Sequence, residues 1–389
     1  MKTPSPLTIT LLALTLISCR STTCRKSICN GPFTLLSPMQ DAVLSQHTQA
    51  QSDFNNLLIK EHTHNDQKAW LAETRKTTKG DLSLPKRNTF TWQCNGNGID
   101  AHAIEVSECP RFTENVLHFI VQKGQNEALI HSLKANTKYY WRVVGTDCQA
   151  RPVSSAVASF TTADEIPRWI FVEGVSNVRD MGGWLTKDGR RVRQGLVYRG
   201  GEMRIHMMVT AEGIRFLEHE LGLHSLLDLR GAGELAKDSN HGSSLSPIVR
   251  WHNTPISGYA GCGTDAQKEL YAKAFRIIIE PTNLPLYTHC WGGADRTGTL
   301  IFLLNATLGV KDEDLLHDYE LTSLSLWGSR SRETDQFKSL DAFLETLAPG
   351  QDYQAKAVAY WKAAGITDKE IETIREMFLE KTDELPKSL

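Results

Sequence analysis

The sequence predicts two folded domains of different class, an all-β sandwich followed by an α/β domain with a mainly parallel sheet flanked by helices. The chain has 389 residues, which is long for a single core. Between residues 33 and 163, short β-branched and aromatic runs are separated by glycine, asparagine and proline, as in a β-sandwich. From about residue 166, buried-strand runs alternate with helical patterns, which is typical of an α/β fold.

The composition is that of an ordinary globular protein without a broad basic surface. Apolar residues make up 40% of the chain and charged residues 23%, with a formal net charge of −2. The isoelectric point is about 6.7. These values argue against general nucleic-acid binding, so any site for an anion has to be local.

The N-terminus carries the pattern of an export signal. Residues 7–18, "LTITLLALTLIS", form an apolar run that is too short to span a bilayer but has the length of a signal-peptide core. The run ends in "LISC", which resembles the bacterial lipoprotein cleavage box. That resemblance implies a signal peptide at residues 1–18 and lipidation of Cys19. An ordinary secretory signal with an incidental cysteine is the alternative.

A lipid on Cys19 would make residues 19–32 a tether and the membrane a partner. We therefore expect an exported, membrane-anchored lipoprotein on the periplasmic or cell-surface side. Export also permits disulfides. Our preferred pair is Cys109 with Cys148, on strands expected to be neighbours, although connectivity is not fixed by sequence.

The first domain, residues 33–163, has a recognisable corner. The segment "LKANTKYYWRV" resembles the strand corner of a fibronectin type III domain, with Tyr139 as the corner tyrosine. That resemblance implies a fibronectin type III-like sandwich that could bind a protein or carbohydrate partner. A polar segment at about residues 46–84 interrupts the domain and is predicted to be partly helical.

The inserted segment contains three histidines without acidic or cysteine partners at metal-site spacing. We therefore predict that His47, His62 and His64 are solvated and that no metal is bound there.

The second domain follows a hinge at residues 161–168 and extends over residues 166–385. "HSLLDL" (224–229) and "LPLYTHC" (284–290) are apolar runs of buried-strand length. Thr264 with Gln267 and Thr367 with Glu370 predict two helix-capping boxes. Pro281 is expected to end the helix that begins after Thr264.

One segment of this domain, "LPLYTHCWGGADRTGTLIFLLNATLG", predicts a strand, a loop and a helix in succession. The helix would begin at Arg296 or Thr297, so its unpaired N–H groups and positive dipole end would face the loop. Gly292 and Gly293 allow the backbone to approach an anion closely. In this surrounding the thiolate of Cys290 is favoured.

The other side chains of the loop suit phosphate chemistry. Arg296 offers a two-pronged clamp for phosphoryl oxygens. Asp295 is a carboxylic acid that could protonate a departing oxygen, and Thr297 could hydrogen-bond the thiolate. Together with Cys290 these residues form a set for covalent catalysis on phosphate monoesters. The simpler alternative is a buried structural cysteine before a glycine turn.

The sequence "HCWGGADRTG" resembles the signature loop of cysteine-dependent phosphatases, in particular bacterial tyrosine phosphatases that end in D-R-T-G. The resemblance extends over most of residues 170–385. It includes "NVRDMGGWLTKDGRRVRQGLVYRGGEM" (177–203) and "LLDLRGAGE" (226–234).

The resemblance implies Cys290 as nucleophile, Arg296 as phosphate clamp and Asp295 as general acid, with no metal and no cofactor. Asp228 is the second candidate for the acid, or alternatively a residue that orients Arg296. Asp228 and Arg230 would both lie near the pocket mouth. The substrate-binding positions carried over are Trp291, Gly292, Gly293, Ala294, Thr297 and Arg230.

The substrate class depends on one departure from this pattern. Members of the family often have lysine before the aspartate, where this chain has Ala294, and an extra cation suits highly phosphorylated substrates. We therefore expect a phosphoprotein substrate, above all protein phosphotyrosine. Trp291 could form a wall for its ring, or alternatively face the core. The alternatives are a phosphoinositide or inositol phosphate phosphatase and a non-catalytic phosphate-binding or adhesion protein.

Overall fold

A computed structural model describes residues 32–238, 243 and 245–381 of the chain. The predicted signal peptide, Cys19 and nearly all of the tether lie outside these residues. Within the described ranges, no helix has both the length and the apolar character needed to cross a membrane.

The N-terminal region forms two sheets around one core. A three-stranded sheet has the order β1-β3-β6, and a larger sheet has the order β2-β9-β7-β4-β5, with β8 paired to β7. The strands are β1 Phe33–Ser37, β2 Ala42–Leu44, β3 Asn88–Cys94, β4 Asp100–Ser107, β5 Leu117–Ile120, β6 Glu127–Ile130, β7 Lys138–Thr146, β8 Pro152–Ser154 and β9 Ala158–Thr162.

These strands are antiparallel except for the pair β2 and β9. In β7 buried residues alternate with more exposed ones, so one face of the strand packs inward. Phe90 of β3 contacts Trp141 and Phe160 edge to face in the core. The Tyr139 hydroxyl accepts a hydrogen bond from the Lys134 N–H at 3.1 Å. The predicted antiparallel strands are thus present, and the fibronectin type III identity stays a prediction.

The predicted disulfide between Cys109 and Cys148 is wrong, because both cysteines are free. Strands β4 and β7 are indeed neighbours, but they run antiparallel, with Asp100 opposite Thr146 and Ser107 opposite Tyr140. Cys109 therefore follows one end of the strand pair and Cys148 the other, roughly 20 Å apart. A disulfide requires Cα atoms within about 7 Å.

The inserted segment is helical, as predicted, but it packs on the second domain. It forms α1 Gln49–Ile59 and α2 His64–Thr77. Phe54, Leu58 and Leu71 belong to the same core as the central helix of the C-terminal domain. An amphipathic helix buries its apolar face against whatever apolar surface is available.

This packing overturns the prediction of solvated histidines for His47 and His62. His47 is 5% exposed, and its Nε2 lies 2.9 Å from the carbonyl oxygen of Pro167. The side chain of His62 is also 5% exposed, and its Nε2 lies 3.3 Å from a carboxylate oxygen of Glu320. His64 is half-buried.

The C-terminal domain is α/β, as predicted. Its sheet has the order β10-β11-β14-β12-β13, and all neighbours are parallel except β10 with β11. The strands are β10 Arg179–Asp180, β11 Val197–Gly200, β12 Ser225–Asp228, β13 Arg250–Asn253 and β14 Leu286–His289. The helices are α3 Ala211–Arg215, α4 Ala232–Leu235, α5 Asp265–Ile278, α6 Arg296–Thr307, α7 Asp312–Leu321, α8 Asp335–Leu347, α9 Tyr353–Ala363 and α10 Asp368–Phe378.

Helix boundaries agree with the sequence signals except at one cap. Thr367 and Glu370 form the predicted capping box of α10. Thr264 caps α5 as predicted, but the Gln267 side chain accepts a hydrogen bond from the Ser257 N–H instead of completing a box.

A buried charge cluster joins the sheet to α7. The Asp318 carboxylate accepts hydrogen bonds from Arg179 at 2.8 Å and from Arg199 at 2.7 Å. Both guanidinium groups are fully buried. Burial alone would raise the pKa of Asp318, but the two cations outweigh burial and lower it.

Replacing Asp318 by asparagine should lower the free energy of unfolding by about 3–5 kcal/mol, because two buried cations lose their counter-charge. Urea unfolding of Asp318→Asn measures this loss. Glu313→Gln, on the same helix but with a side chain 72% exposed, is the matched control and should change little. Equal losses in the two variants would contradict the role of this cluster.

Candidate active site

The candidate site lies where three parallel strands end together. Gly200 of β11 and Asp228 of β12 are both in register with His289, the last residue of β14. The next residue, Cys290, is 2% exposed. Helix α6 begins at Arg296, as predicted, so residues 290–295 form a loop at its N-terminus. Carboxyl ends of parallel strands are the usual place for ligand sites in such sheets.

The carbonyl groups of the loop are bound from outside. Asn177 Nδ2 donates to the carbonyl oxygen of Gly292 at 2.9 Å, and Arg199 Nη2 donates to that of Gly293 at 2.6 Å. The carbonyl of Trp291 accepts a hydrogen bond from the Glu202 N–H. In the part of the chain that the structure describes, the N–H groups of residues 291–295 have no hydrogen-bond acceptor. They therefore remain available to an anion.

Both loop glycines are required by close contacts. Gly293 has a φ of +65°, and a Cβ there would overlap the backbone of Gly200. A Cβ on Gly292 would lie 2.7 Å from Cγ of Trp327. Ala294, the next residue, is 1% exposed.

The predicted clamp residue is held by a carboxylate. Arg296 Nη1 and Nη2 donate to the Glu234 carboxylate at 2.5 and 2.7 Å. Burial alone would lower the pKa of Arg296, but Glu234 and Cys290 outweigh burial and raise this pKa above its usual value. The guanidinium therefore stays charged. The bidentate pair fixes the plane of the guanidinium.

Asp228 does not orient Arg296, since that role falls to Glu234. The carboxylate of Asp228 is fully buried and accepts hydrogen bonds from Arg230 Nη2 at 2.7 Å and from Arg230 Nε. Arg230 also contacts Asp238 at 3.1 Å and is 1% exposed. Arg230 is therefore part of a buried ion cluster and does not line an open mouth as expected.

The Asp295 carboxylate is bound by both a guanidinium and a tyrosine hydroxyl. Arg330 Nε and Nη2 donate to its two oxygens at 2.8 and 3.0 Å. The Tyr259 hydroxyl donates to the same carboxylate and lies 2.9 Å from the hydroxyl of Tyr319. Burial alone would raise the pKa of Asp295, but Arg330 first, then Tyr259 and the charge of Arg296, lower it below its usual value.

The remaining predicted site residues differ in their surroundings. Trp291 stacks on His206 with ring centroids 3.8 Å apart, so one face of the indole is already covered. Thr297 is fully buried, and among the described residues its hydroxyl has no hydrogen-bond partner. The predicted hydrogen bond from Thr297 to the thiolate is therefore not formed in this structure.

Sequence reasoning missed Glu234, Arg330 and Tyr259. Glu234 ends the segment "LLDLRGAGE", which the sequence analysis identified as a motif. Its pairing with Arg296 could not be predicted from that motif. Arg330 and Tyr259 lie in segments without a recognisable pattern, 35 and 36 positions from Asp295. Among the described residues, no group of three or more histidine, cysteine, aspartate or glutamate side chains could hold a metal ion.

Comparison with known proteins adds three findings. The model of the tyrosine phosphatase family matches residues 170–380. A Cupriavidus necator protein, provisionally named a tyrosine-protein phosphatase, is 30% identical over 169 residues, or 37% of this chain. The match covers 59% of that relative's length.

Two solved structures are similar to part of the chain. The core catalytic domain of PP-IP phosphatase SIW14 from S. cerevisiae, in complex with citrate, is 20% identical and has a TM-score of 0.27. That match covers 43% of this chain and 88% of the other. A second structure of the Siw14 catalytic core is 18% identical, with a TM-score of 0.26, and covers 47% and 90% of the two chains.

Gly293→Ala should abolish binding of an anion to the loop, because its Cβ would overlap Gly200 and strain the backbone. The inhibition constant of vanadate, a phosphate-like anion, measures this binding. We expect this constant to rise at least about 100-fold in the variant. Gly233→Ala is the control, since a Cβ there meets no other atom within 4 Å. Unchanged vanadate binding in Gly293→Ala would show that the loop geometry is not what binds the anion.

Proposed function

The chain belongs to the tyrosine phosphatase family, and from this membership we propose that it hydrolyses phosphate monoesters, above all protein phosphotyrosine, through Cys290. The observation that carries the proposal is the loop of residues 290–295. Its carbonyl groups are bound from outside, its N–H groups are available, and Arg296 is held beside it. This arrangement suits a phosphoryl group.

We propose a double displacement at phosphorus. The Sγ of Cys290 attacks the phosphorus atom, an S–P bond forms, and the P–O bond to the leaving group breaks. The leaving oxygen takes a proton from Asp295. Water then attacks phosphorus and gives a proton to Asp295, while the S–P bond breaks and inorganic phosphate leaves. Arg296 and the loop N–H groups stabilise the equatorial oxygens, and these steps need no metal or other cofactor.

Asp295 is a better acid candidate than Asp228. The side chain of Asp295 is 43% exposed and adjoins Arg296 in sequence, whereas Asp228 is fully buried and bound by Arg230. In the free enzyme Arg330 favours the ionised form of Asp295. A phosphate dianion bound in the loop adds negative charge nearby, which raises the pKa of Asp295 and favours the protonated acid.

Phosphoinositides or inositol phosphates are the second candidate substrates. Ala294 removes the cation that often stands before the aspartate, yet Arg330 brings a guanidinium to the same loop. Because Asp295 neutralises much of that charge, we rank phosphotyrosine first. A phosphopeptide and inositol phosphate panel distinguishes the two. Tight phosphopeptide binding without turnover would favour the non-catalytic alternative.

We also propose the location and partners predicted from sequence. The export signal pattern and "LISC" support a lipoprotein anchored through Cys19, exposed on the periplasmic or cell-surface side. The N-terminal sheets would then be free to bind a protein or carbohydrate partner.

Cys290→Ser should lower kcat for p-nitrophenyl phosphate by roughly 10⁴-fold or more, because the weak hydroxyl nucleophile replaces a thiolate. The wild-type activity should be inhibited by vanadate and should persist in EDTA. Cys262→Ser, a buried cysteine that the proposed chemistry does not use, is the matched control. Activity that survived Cys290→Ser would disprove the assignment.

Asp295→Asn should lower kcat for phenyl phosphate by about 10²–10⁴-fold, because phenolate needs a proton as it departs. The loss should be far smaller for p-nitrophenyl phosphate, whose leaving group departs without protonation. Asp228→Asn should affect both substrates alike. If instead Asp228→Asn showed the leaving-group dependence, Asp228 would be the acid.

A further inference from the structure

The inserted hairpin, residues 46–84, is connected with the active site chiefly through one short segment of the C-terminal domain. This segment comprises residues 325–333 and is called the Arg330 segment below. It lies between α7 and α8 and contains no regular helix or strand. Its shape must therefore be set by its contacts.

On one side, the Arg330 segment contacts the catalytic loop. Arg330 donates two hydrogen bonds to Asp295, and the ring of Trp327 packs against Gly292. The third nitrogen of the Arg330 guanidinium, Nη1, donates within the segment to the carbonyls of Trp327 and Ser329, each at 3.2 Å. The position of the guanidinium thus depends on the position of the segment.

On the other side, the inserted hairpin binds the same segment. The backbone N–H of His64 donates to the Glu333 carboxylate at 2.6 Å, and the ring Nε2 of His64 lies 3.0 Å from Ser329 Oγ. Arg75 Nη2 donates to the carbonyl of Ser325 at 3.0 Å. Three contacts therefore hold the segment at its beginning, its middle and its end.

A second route connects the hairpin with the loop itself. Ser83 Oγ accepts a hydrogen bond from the Asn177 N–H at 3.0 Å. The Asn177 side chain in turn binds the carbonyl of Gly292. Gly292 is thus linked to the hairpin through Asn177 alone, whereas Asp295 is linked to it through Arg330 and the neighbours of Arg330 in the segment.

We infer that the inserted hairpin is a positioning element of the active site, in which His64 and Arg75 hold the Arg330 segment and thereby fix Asp295. The inference rests on the proposed role of Asp295 as the acid. The contacts of His64 and Arg75 act on Asp295 through the position of the Arg330 guanidinium. The other charged or titratable groups facing the carboxylate are Arg296, Tyr259 and Tyr319, and all three belong to the C-terminal domain itself.

The polar contacts are separable from the packing of the hairpin. Phe54, Leu58 and Leu71 anchor the hairpin in the core, whereas His64 and Arg75 are only half-buried. Removing the two polar side chains should therefore leave the fold intact and change the site.

The test compares His64→Ala and Arg75→Met in the full chain, with Glu73→Ala as control. Glu73 lies on the same helix, and its side chain is 73% exposed. In both variants kcat for phenyl phosphate should fall about 3- to 10-fold with little change in KM, while kcat for p-nitrophenyl phosphate stays nearly constant. Arg75→Lys, which keeps a cationic donor, should restore part of the loss.

The pH profile adds a readout that a purely structural role would not change. As pH rises, kcat for phenyl phosphate falls when Asp295 of the enzyme–substrate complex loses its proton. Weaker contact with Arg330 disfavours the carboxylate, so this fall should move to higher pH in His64→Ala and Arg75→Met, and furthest in Arg330→Met. In the Arg330→Met background the two hairpin substitutions should have no further effect.

The inference would be overturned if His64→Ala and Arg75→Met lowered kcat equally in the presence and absence of Arg330. It would also be overturned if they lowered the melting temperature and left the pH profile unchanged. Failure of the proposed function is a different result, because it would leave Cys290→Ser active. An inactive Cys290→Ser enzyme with unchanged hairpin variants would reject the positioning role alone.

Discussion

The structure of this site depends on where the carbonyl groups of one loop find their hydrogen-bond donors. A backbone loop binds an anion only if its N–H groups point inward, so its carbonyl oxygens need partners outside. Asn177 and Arg199 supply those partners for Gly292 and Gly293. Arg199 is itself held by Asp318, which Arg179 shares. The anion cradle therefore rests on a buried cluster of charges beneath it.

Charge neutralisation is the second feature of the site. The two charged side chains that would act on phosphate are paired in the free protein, Arg296 with Glu234 and Asp295 with Arg330. These pairs fix side-chain direction before any substrate arrives, which reduces the ordering required in the transition state.

The sequence predicted the features of the site that depend on neighbouring residues, but few of the contacts between distant residues. The strand before Cys290 and the start of α6 at Arg296 were predictable, because both follow from patterns within a few residues. The partners of Arg296 and Asp295 were not, since Glu234 and Arg330 reach the loop only through tertiary packing. The supposed disulfide failed for a similar reason: neighbouring strands were correctly inferred, but the direction of each strand decides which ends meet.

The proposed double displacement requires a covalent phosphocysteine at Cys290. A rapid denaturing quench during turnover of p-nitrophenyl phosphate, followed by peptide mass spectrometry, tests this claim directly. We expect one phosphoryl group on the peptide that contains Cys290, and none on that peptide from Cys290→Ser. A phosphoryl group on another residue, or turnover without any covalent adduct, would contradict it.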